Sequence, residues 1–375
     1  MKIFLSAGEV SGDIHGAYLA EALKKTIPDL EIEGIGGEAM RRAGVRTVSD
    51  LTSKNTVGFI EGIRHLPYHV RVLHETARYI RASQPDCVVF IDNQGFNVEL
   101  AKKIRRAGII AFYYFAPQLW LWGSKNAKKI EKNIDYILAT FQKEFEFYHN
   151  NTTLTVDYIG HPLLDEIAVE HDHEILRQNF NVGTDGRRVI GLLPGSRTQE
   201  LAVLLPEFLN VAASLKDTYD FILPFATERI ARLYSHRIPP YIRVVTGQSH
   251  EVMACADLLI MASGTATLEA ALFTTPMIIT YKISKITEWI ARKIVKISHI
   301  GMPNILLGRE VCPELIQDDM NADTIILTVK NIMEDKGRYD IMRTELAEVR
   351  ALLEPSGSVT RAAQLIKERC SNGQT

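Results

Sequence analysis

The sequence predicts a doubly wound α/β protein built from two Rossmann-like halves. Three observations carry that expectation. Short apolar runs alternate with amphipathic, helix-length segments along most of the chain. Two of these runs, KIFLS at the N-terminus and RVIGLL from Arg188, end in small-residue turns that open a helix, AGEVSGD and PGSR. The second copy of this layout begins just past mid-chain, and 375 residues exceed one ordinary core.

Each element follows from its own pattern. Lys2 to Ser6 is a short buried strand, and Ile14 to Leu23 a helix with apolar residues at helical spacing. Glu31 to Gly36 reads as a strand, and Ile60 to Ile80 as a long helix entered through Pro67. Cys87 to Asp92 is apolar on both faces, as a central parallel strand must be. Phe96 to Arg106 reads as a helix; Ile109–Phe115 and Asp135–Thr140 read as strands. After Tyr158-Ile-Gly-His-Pro162 the pattern loosens, and His171 to Arg187 is polar. The domain boundary therefore lies between about Gly160 and Arg187, giving domains 1–162 and 163–355. Strands are expected at Val189–Leu193, Asp220–Pro224, Ile242–Val245, Asp257–Met261 and Met277–Tyr281. Helical segments run from Asp323 to Leu353, Pro355-Ser-Gly-Ser358 breaks them, and a final helix reaches Cys370.

Composition excludes several classes. A net charge of −2 gives no bulk drive toward nucleic acid. Four scattered cysteines form no C-x-x-C pair, which suits a reducing compartment. The N-terminus runs straight into a strand, so no signal peptide is expected, and no apolar run is long enough to span a bilayer. The expected place is the cytosol, with a membrane surface left open.

Ligands of open α/β sheets bind beyond the carboxyl ends of the strands, so the turns there are the candidate site. Gly8, Glu9, Ser11, Gly12, Asp13 and His15 crowd the first turn. The bland alternative is a capped helix, with Ser11 or Asp13 as the cap. Two acids would repel a pyrophosphate, so a hydroxyl-rich ligand fits better there. Asp92 ends the central strand, placed to take a proton from a hydroxyl or, alternatively, to cap the helix near Phe96. Ala111 to Trp122, AFYYFAPQLWLW, is dense in aromatics and is followed by Lys125, Lys128, Lys129 and Lys132. Trp120 and Trp122, beyond the strand, should be partly exposed as an acyl-binding or interfacial surface, unless they are core.

In the second half, Ser196 and Arg197 follow one strand, and Gly264 and Thr265 follow another. Backbone N–H groups at a helix N-terminus favour phosphate, and Arg197 adds a forked cation. Glu269 could accept from ribose hydroxyls; Ser263 or Thr265 as a plain helix cap is the alternative. Asn304 stands in an expected loop where it could meet a ligand. Ile286, Trp289, Ile290, Ile294 and Ile297 form a helical stripe beside Lys285, Arg292, Lys293 and Lys296, which meets core and solvent or anionic lipid. No D-x-D or Walker A pattern occurs, and His171-Asp-His-Glu174 lies in the loose segment, so no metal site is expected.

Together these residues resemble the lipid-A-disaccharide synthases, inverting glycosyltransferases of the GT-B type. AGEVSGD, the aspartate of IDNQGFN, PQLWLW, GHP, LPGSR-x-x-E, GTATLEA and PNILLG stand in the family's order along nearly the whole chain. The resemblance implies two facing Rossmann-like domains, with 356–375 packing back on the first. It implies UDP-2,3-diacylglucosamine as donor, 2,3-diacylglucosamine 1-phosphate as acceptor, a β-1,6 linkage and release of UDP. It also implies no cofactor, and peripheral attachment to the inner face of the cytoplasmic membrane of a Gram-negative bacterium. Glu9, Ser11 and Asp92 fall on the acceptor side, with Gly12, Trp120 and Trp122 as further candidates. Arg197, Gly264, Thr265, Glu269 and Asn304, together with Ser196, fall on the UDP-sugar side. One departure is local: the family often has a small residue and then Pro after Ile-Asp, where this chain has Asn93-Gln94-Gly95.

The expected mechanism is one in-line displacement at the sugar C1. Asp92 is the first candidate for general base and Glu9 the second; Arg197 and the Gly264-Thr265 turn stabilise departing UDP, so no metal is required. Two rivals remain. A UDP-N-acetylglucosamine 2-epimerase has the same build and needs no acyl acceptor, and a non-catalytic nucleotide-sugar or lipid binder would not need Asp92.

Overall fold

The computed structural model describes residues 1–51, 59–122, 127–167, 171–282 and 298–372, and for 59–66, 122 and 372 the backbone alone. The chain divides into two units: Met1–Glu166 with Leu353–Thr375, and Ile167–Leu352.

In the first unit the order is β1 (Lys2–Ala7), α1 (Val10–Thr26), β2 (Glu31–Ile35), α2 (Glu38–Arg42), β3 (Arg46–Ser49), α3 (Phe59–Ser83), β4 (Cys87–Ile91) and α4 (Gln94–Ile104). There follow β5 (Ile110–Tyr114), α5 (Leu119–Trp122), α6 (Ala127–Glu131), β6 (Tyr136–Ala139), α7 (Gln142–Asn151), β7 (Thr155–Tyr158) and α8 (Leu163–Glu166). The seven strands are all parallel, in the order β3-β2-β1-β4-β5-β6-β7. Alternate residues of one strand feed opposite cores: Phe4, Val88 and Phe90 enter one, Ile3, Leu5, Val89 and Ile91 the other. That two-sided burial is why these strands read as unbroken apolar runs.

The second unit runs α9 (His173–Phe180), β8 (Arg188–Leu193), α10 (Thr198–Leu215), β9 (Tyr219–Phe225), α11 (Glu228–Tyr234), β10 (Ile242–Thr246), α12 (Ser249–Cys255) and β11 (Leu258–Ala262). It continues with α13 (Ala266–Leu272), β12 (Met277–Tyr281), α14 (Met302–Leu307), β13 (Glu314–Ile316), α15 (Ala322–Met333) and α16 (Lys336–Ala351). Its six strands, also parallel, are ordered β10-β9-β8-β11-β12-β13. The last helix, α17 (Ser358–Asn372), returns to the first unit, where Ala362, Ala363, Ile366 and Cys370 pack with Leu19, Ala20 and Leu23 of α1.

Three strands escape the sequence pattern: β3, β7 and β13. Each is at a sheet edge and three or four residues long, and their residues are mostly half-exposed, so no apolar run marks them. The segment expected to be loose after His171 instead holds α9. Asp172 caps it by accepting from the N–H groups of Glu174 and Ile175 at 2.9 and 3.0 Å, and Phe180 anchors it in the core. The apolar and basic stripe of Lys285 to Lys296 lies outside the described residues.

Candidate active site

Both sheets reverse their strand order once, between β1 and β4 in the first unit and between β8 and β11 in the second. At such a switch point the two adjacent loops diverge above the strand ends and leave a crevice. Glu9 and Ser11, at the turn after β1 and the start of α1, and Asp92, after β4, stand beside the first crevice, and Ser11 and Asp92 meet there.

Asp92 and Asn93 both have left-handed backbones, with φ of 50° and 44°. Consecutive non-glycine residues in that region store strain, of order 1 kcal/mol or more each, and persist only where the surroundings fix them. Here the fixing groups are identifiable. The Asp92 N–H donates to the Tyr114 carbonyl at 3.2 Å. The Asp92 carbonyl accepts from Tyr113 Oη at 3.0 Å and Asn97 Nδ2 at 2.8 Å. Asn97, fully buried, also binds the Ser6 and Ile91 carbonyls at 3.1 Å each, and its Oδ1 accepts from Ser6 Oγ at 2.7 Å. It thus ties the ends of β1 and β4 together. The N-cap of α4 is Asn93, so the reading of Asp92 as that helix's cap is corrected. The Asp92 carboxylate lies 3.5 Å from Ser11 Oγ. Asp92, Ser11 and Glu9 are all half-exposed.

Capping of α1 also differs from expectation. Glu9 is the N-cap residue and makes no side-chain cap bond. Neither Ser11 nor Asp13 serves instead. Asp13 is buried and accepts from the N–H groups of Gly37, Ala39 and Met40 at 2.6, 2.9 and 3.1 Å, which caps α2. Gly12 is a packing residue: a Cβ there would stand 3.4 Å from the Ile91 carbonyl oxygen, so glycine lets α1 approach β4.

The aromatic segment is partly exposed at Gln118 and Trp120, as expected, and buried at Ala116 and Leu119. Leu119 and Ala116 are 2% exposed, while Trp120 is half-buried on α5. Trp120 donates its indole N–H to the Gln118 carboxamide oxygen, packs 6.2 Å from Phe141 and has Lys143 Nζ 5.8 Å above its ring. The segment is covered on this side because the start of α7 packs against α5, which the local pattern could not foretell. The Trp122 side chain and Lys125 lie outside what is described; Lys128, Lys129 and Lys132 are exposed.

Behind Trp120 a run of rings crosses the strand ends: Phe141 to His161 at 4.7 Å, His161 to Phe115 at 5.5 Å, Phe115 to His15 at 4.2 Å. Burial, and then the nearby His15, hold the His161 pKa well below the ordinary histidine value, so its ring is neutral. Glu144, wholly buried, is pushed up to about 7 by desolvation, against bonds from the Thr140 and Phe141 N–H groups that oppose the rise. Sequence reading missed Glu144, His161 and the His15–Glu166 pair. His161 was marked only as part of the GHP motif, and Glu144 only as an acid in the first turn of a helix, where its carboxylate accepts from the Phe141 N–H at 3.3 Å.

In the second unit Leu193 of β8 pairs with Met261 of β11, so the turns after these strands are neighbours. Ser196 and Arg197 leave β8; Gly264 and Thr265 leave β11; all four are exposed. Gly195 has φ 99°, and the Glu200 carboxylate occupies the space a Cβ would fill there, so this turn demands glycine. Glu200 receives the Arg197 N–H at 3.3 Å and faces Arg197 Nη1 at 3.4 Å, which steadies the guanidinium. Thr265 stands at the N-cap position of α13, as the alternative reading had it, but Ser263 does not. Ser263 Oγ donates to the Ile300 carbonyl at 2.8 Å, and α13 has no side-chain cap. Glu269 pairs with His250 Nε2 at 3.1 Å.

Asn304 is the clearest correction. The expected loop is the helix α14, and Asn304 within it has no exposure. Its Nδ2 donates to the Cys312 carbonyl and to Glu314 Oε1, both at 2.8 Å; its Oδ1 accepts from the N–H groups of Val311 and Cys312 at 2.8 and 2.9 Å. All its polar capacity is spent on holding the turn before β13. Among the described residues no cluster of three His, Cys, Asp or Glu side chains is placed to hold a metal ion.

Residues 3–368 match the family model for lipid-A-disaccharide synthetase. The chain belongs to the lipid-A-disaccharide synthase family. It is 36% identical over 393 residues to the lipid-A-disaccharide synthase of Sulfurihydrogenibium sp. (strain YO3AOP1), covering 100% of this chain and 99% of the relative. It is 36% identical over 377 residues to that of Geobacter sulfurreducens, covering 98% and 97%. Membership makes the chain a glycosyltransferase of lipid A biosynthesis. Solved structures share the fold at low identity. A putative UDP-N-acetylglucosamine 2-epimerase from Listeria monocytogenes superposes with TM-score 0.67 at 13% identity, over 99% of this chain and 97% of that one. The glycotransferase of kitacinnamycin superposes with TM-score 0.66 at 13% identity, over 98% and 99%. Likeness at this identity is likeness of fold, so it does not favour the epimerase rival. The GT-B architecture of the family agrees with the two parallel-sheet units seen here.

Proposed function

We infer that the chain transfers the sugar of UDP-2,3-diacylglucosamine to the 6-hydroxyl of 2,3-diacylglucosamine 1-phosphate, forming a β-1,6 bond and releasing UDP. The observation that carries this reading is the carboxylate of Asp92 at a switch point, on a strained backbone held by Asn97 and Tyr113. Asp92 takes the proton of the 6-hydroxyl as the oxygen attacks C1. The bond from C1 to the diphosphate breaks on the opposite face, its electron pair leaves with UDP, and the configuration inverts. Ser11 Oγ, beside the carboxylate, orients it or the incoming hydroxyl. Glu9 is the second candidate for base.

On the donor side, Arg197 and the Gly264-Thr265 turn receive the diphosphate, and their positive ends stabilise the charge on the leaving group without a metal. Glu269 receives the ribose hydroxyls and shares its carboxylate with His250. Asn304 supports this side only through the turn it braces. An enzyme with acylated substrates works at a lipid surface, and no helix of the described residues is long and apolar enough to cross a membrane. The acylated substrates support a reading of peripheral attachment to the inner face of the cytoplasmic membrane. Vesicle co-sedimentation with Lys285, Arg292, Lys293 and Lys296 reversed in charge tests the basic stripe; unchanged binding removes it from the account.

The test of the reaction is UDP release from the donor with and without the acylated acceptor. Release that depends on acceptor supports transfer, whereas conversion of donor alone refutes it. Arg197 gives a separate expectation. Charge-assisted bonds to phosphate contribute about 1.5–3 kcal/mol, so Arg197→Ala should weaken UDP binding by roughly ten- to a hundredfold by calorimetry. Arg197→Lys should recover only part of it, because an ammonium lacks the fork.

A further inference from the structure

We propose that His15 and Glu166 form a positioning pair that sets the first turn of α1, and with it Glu9 and Ser11, against the segment where the chain leaves the first unit. The proposal rests on the acceptor-side reading of Glu9, Ser11 and Asp92.

Ser11 and His15 are four residues apart on α1 and so share one face. Ser11 meets Asp92 at one end of that face. At the other, His15 Nδ1 lies 2.9 Å from Glu166 Oε1, with the two side chains only 7% and 5% exposed. The imidazole is also stacked on Phe115, whose ring centroid is 4.2 Å away and whose backbone is left-handed at φ 56°. A bulky residue adopts that conformation only under constraint, and here it delivers the ring to His15.

The far end of the pair is anchored. Glu166 ends α8, the point where the first unit gives way to the second, and the chain re-enters at Leu353. Exit and return are bonded side by side: the His161 N–H donates to the Leu353 carbonyl at 2.9 Å, and Arg361 donates to the Ile159 carbonyl at 2.6 and 3.0 Å. Asp165, the neighbour of Glu166, accepts from Ser358 Oγ at 2.8 Å and the Val359 N–H at 3.2 Å, so the start of α17 is fixed to α8. The near end is the weaker one, since Glu9 gives α1 no side-chain cap. The orientation of the first turn then depends on tertiary ties, and His15–Glu166 is a buried polar tie on the face that carries Ser11.

The test uses the full chain with His15→Ala, Glu166→Ala, the double variant, Glu166→Gln and, as reference, Asp92→Asn. Misplacement of reacting groups lowers turnover steeply, so each alanine variant should lose about tenfold or more in kcat. The Kd for UDP should stay unchanged, and the double variant should lose no more than either single. Glu166→Gln should keep most of the activity, because its amide oxygen still accepts from the ring. Wild-type kcat in the alanine variants, losses that multiply in the double, or a parallel loss of UDP affinity would each overturn the proposal. Should an alanine variant fail to fold, His15→Gln alone and combined with Glu166→Gln decides by the same rule: equal losses support the pair, and multiplied losses overturn it. Full activity in Asp92→Asn would remove the acceptor-side reading itself. An inactive Asp92→Asn beside an intact His15→Ala removes only the pair.

Discussion

Asp92→Asn is expected to lower kcat by about 10²–10⁴-fold, the usual weight of general base catalysis. An amide cannot take the proton of the acceptor hydroxyl, yet it has nearly the shape of the carboxylate. Its backbone contacts to Tyr113, Tyr114 and Asn97 involve no side-chain atom of Asp92 and survive the change. Folding and UDP affinity should therefore stay near wild type. The informative measurement is single-turnover UDP release beside calorimetric UDP binding. Equal loss of turnover and UDP affinity would sink the assignment of Asp92 as base. If turnover survives in Asp92→Asn and is lost in Glu9→Gln, the base is Glu9.

Stability should respond to pH through Glu144. This carboxyl is wholly buried, and desolvation raises its pKa from 4.5 to about 7. The folded state therefore holds its proton more tightly than the unfolded chain does. Below pH 4.5 both states are protonated and the contribution to stability is complete. Between pH 4.5 and about 7 the unfolded chain ionises while the native one does not, and stability falls with rising pH. At about 1.4 kcal/mol per pKa unit, roughly 3 kcal/mol is lost across that window. Glu144→Gln keeps the shape and an acceptor oxygen for the Thr140 and Phe141 N–H groups, but has nothing to ionise. The drop in thermal midpoint from pH 5 to pH 8 should be smaller in Glu144→Gln by several degrees. Identical pH dependence in the two proteins would show that Glu144 keeps its charge in the fold.

Both expectations depend on how side chains meet, and they mark how far the sequence could be read. The alternation of apolar runs and amphipathic segments was legible because parallel strands buried on both faces must be apolar along their buried stretch, as β4 and β11 are throughout and β1 and β8 are after their first residue, Ser6 excepted. The turns after these strands were legible for the same reason, since small residues and Gly195 are needed where a strand feeds a helix. The order of family motifs along the chain then fixed the activity, and no contact had to be known for that.

Only the tertiary structure decided what each polar residue in those motifs does. Asp13 and Ser11 are two apart in one turn, yet one caps a helix 25 residues further on and the other faces Asp92. Asn304 has the composition of a loop ligand but is spent on backbone groups that would otherwise be buried without partners. His15 and Glu166 are 151 residues apart and carry no local sign of one another. Local sequence sets backbone preference through sterics and periodic burial, which act over a few residues. A side chain's partner is set by which strand ends the sheet order makes neighbours, and that is a property of the folded chain alone.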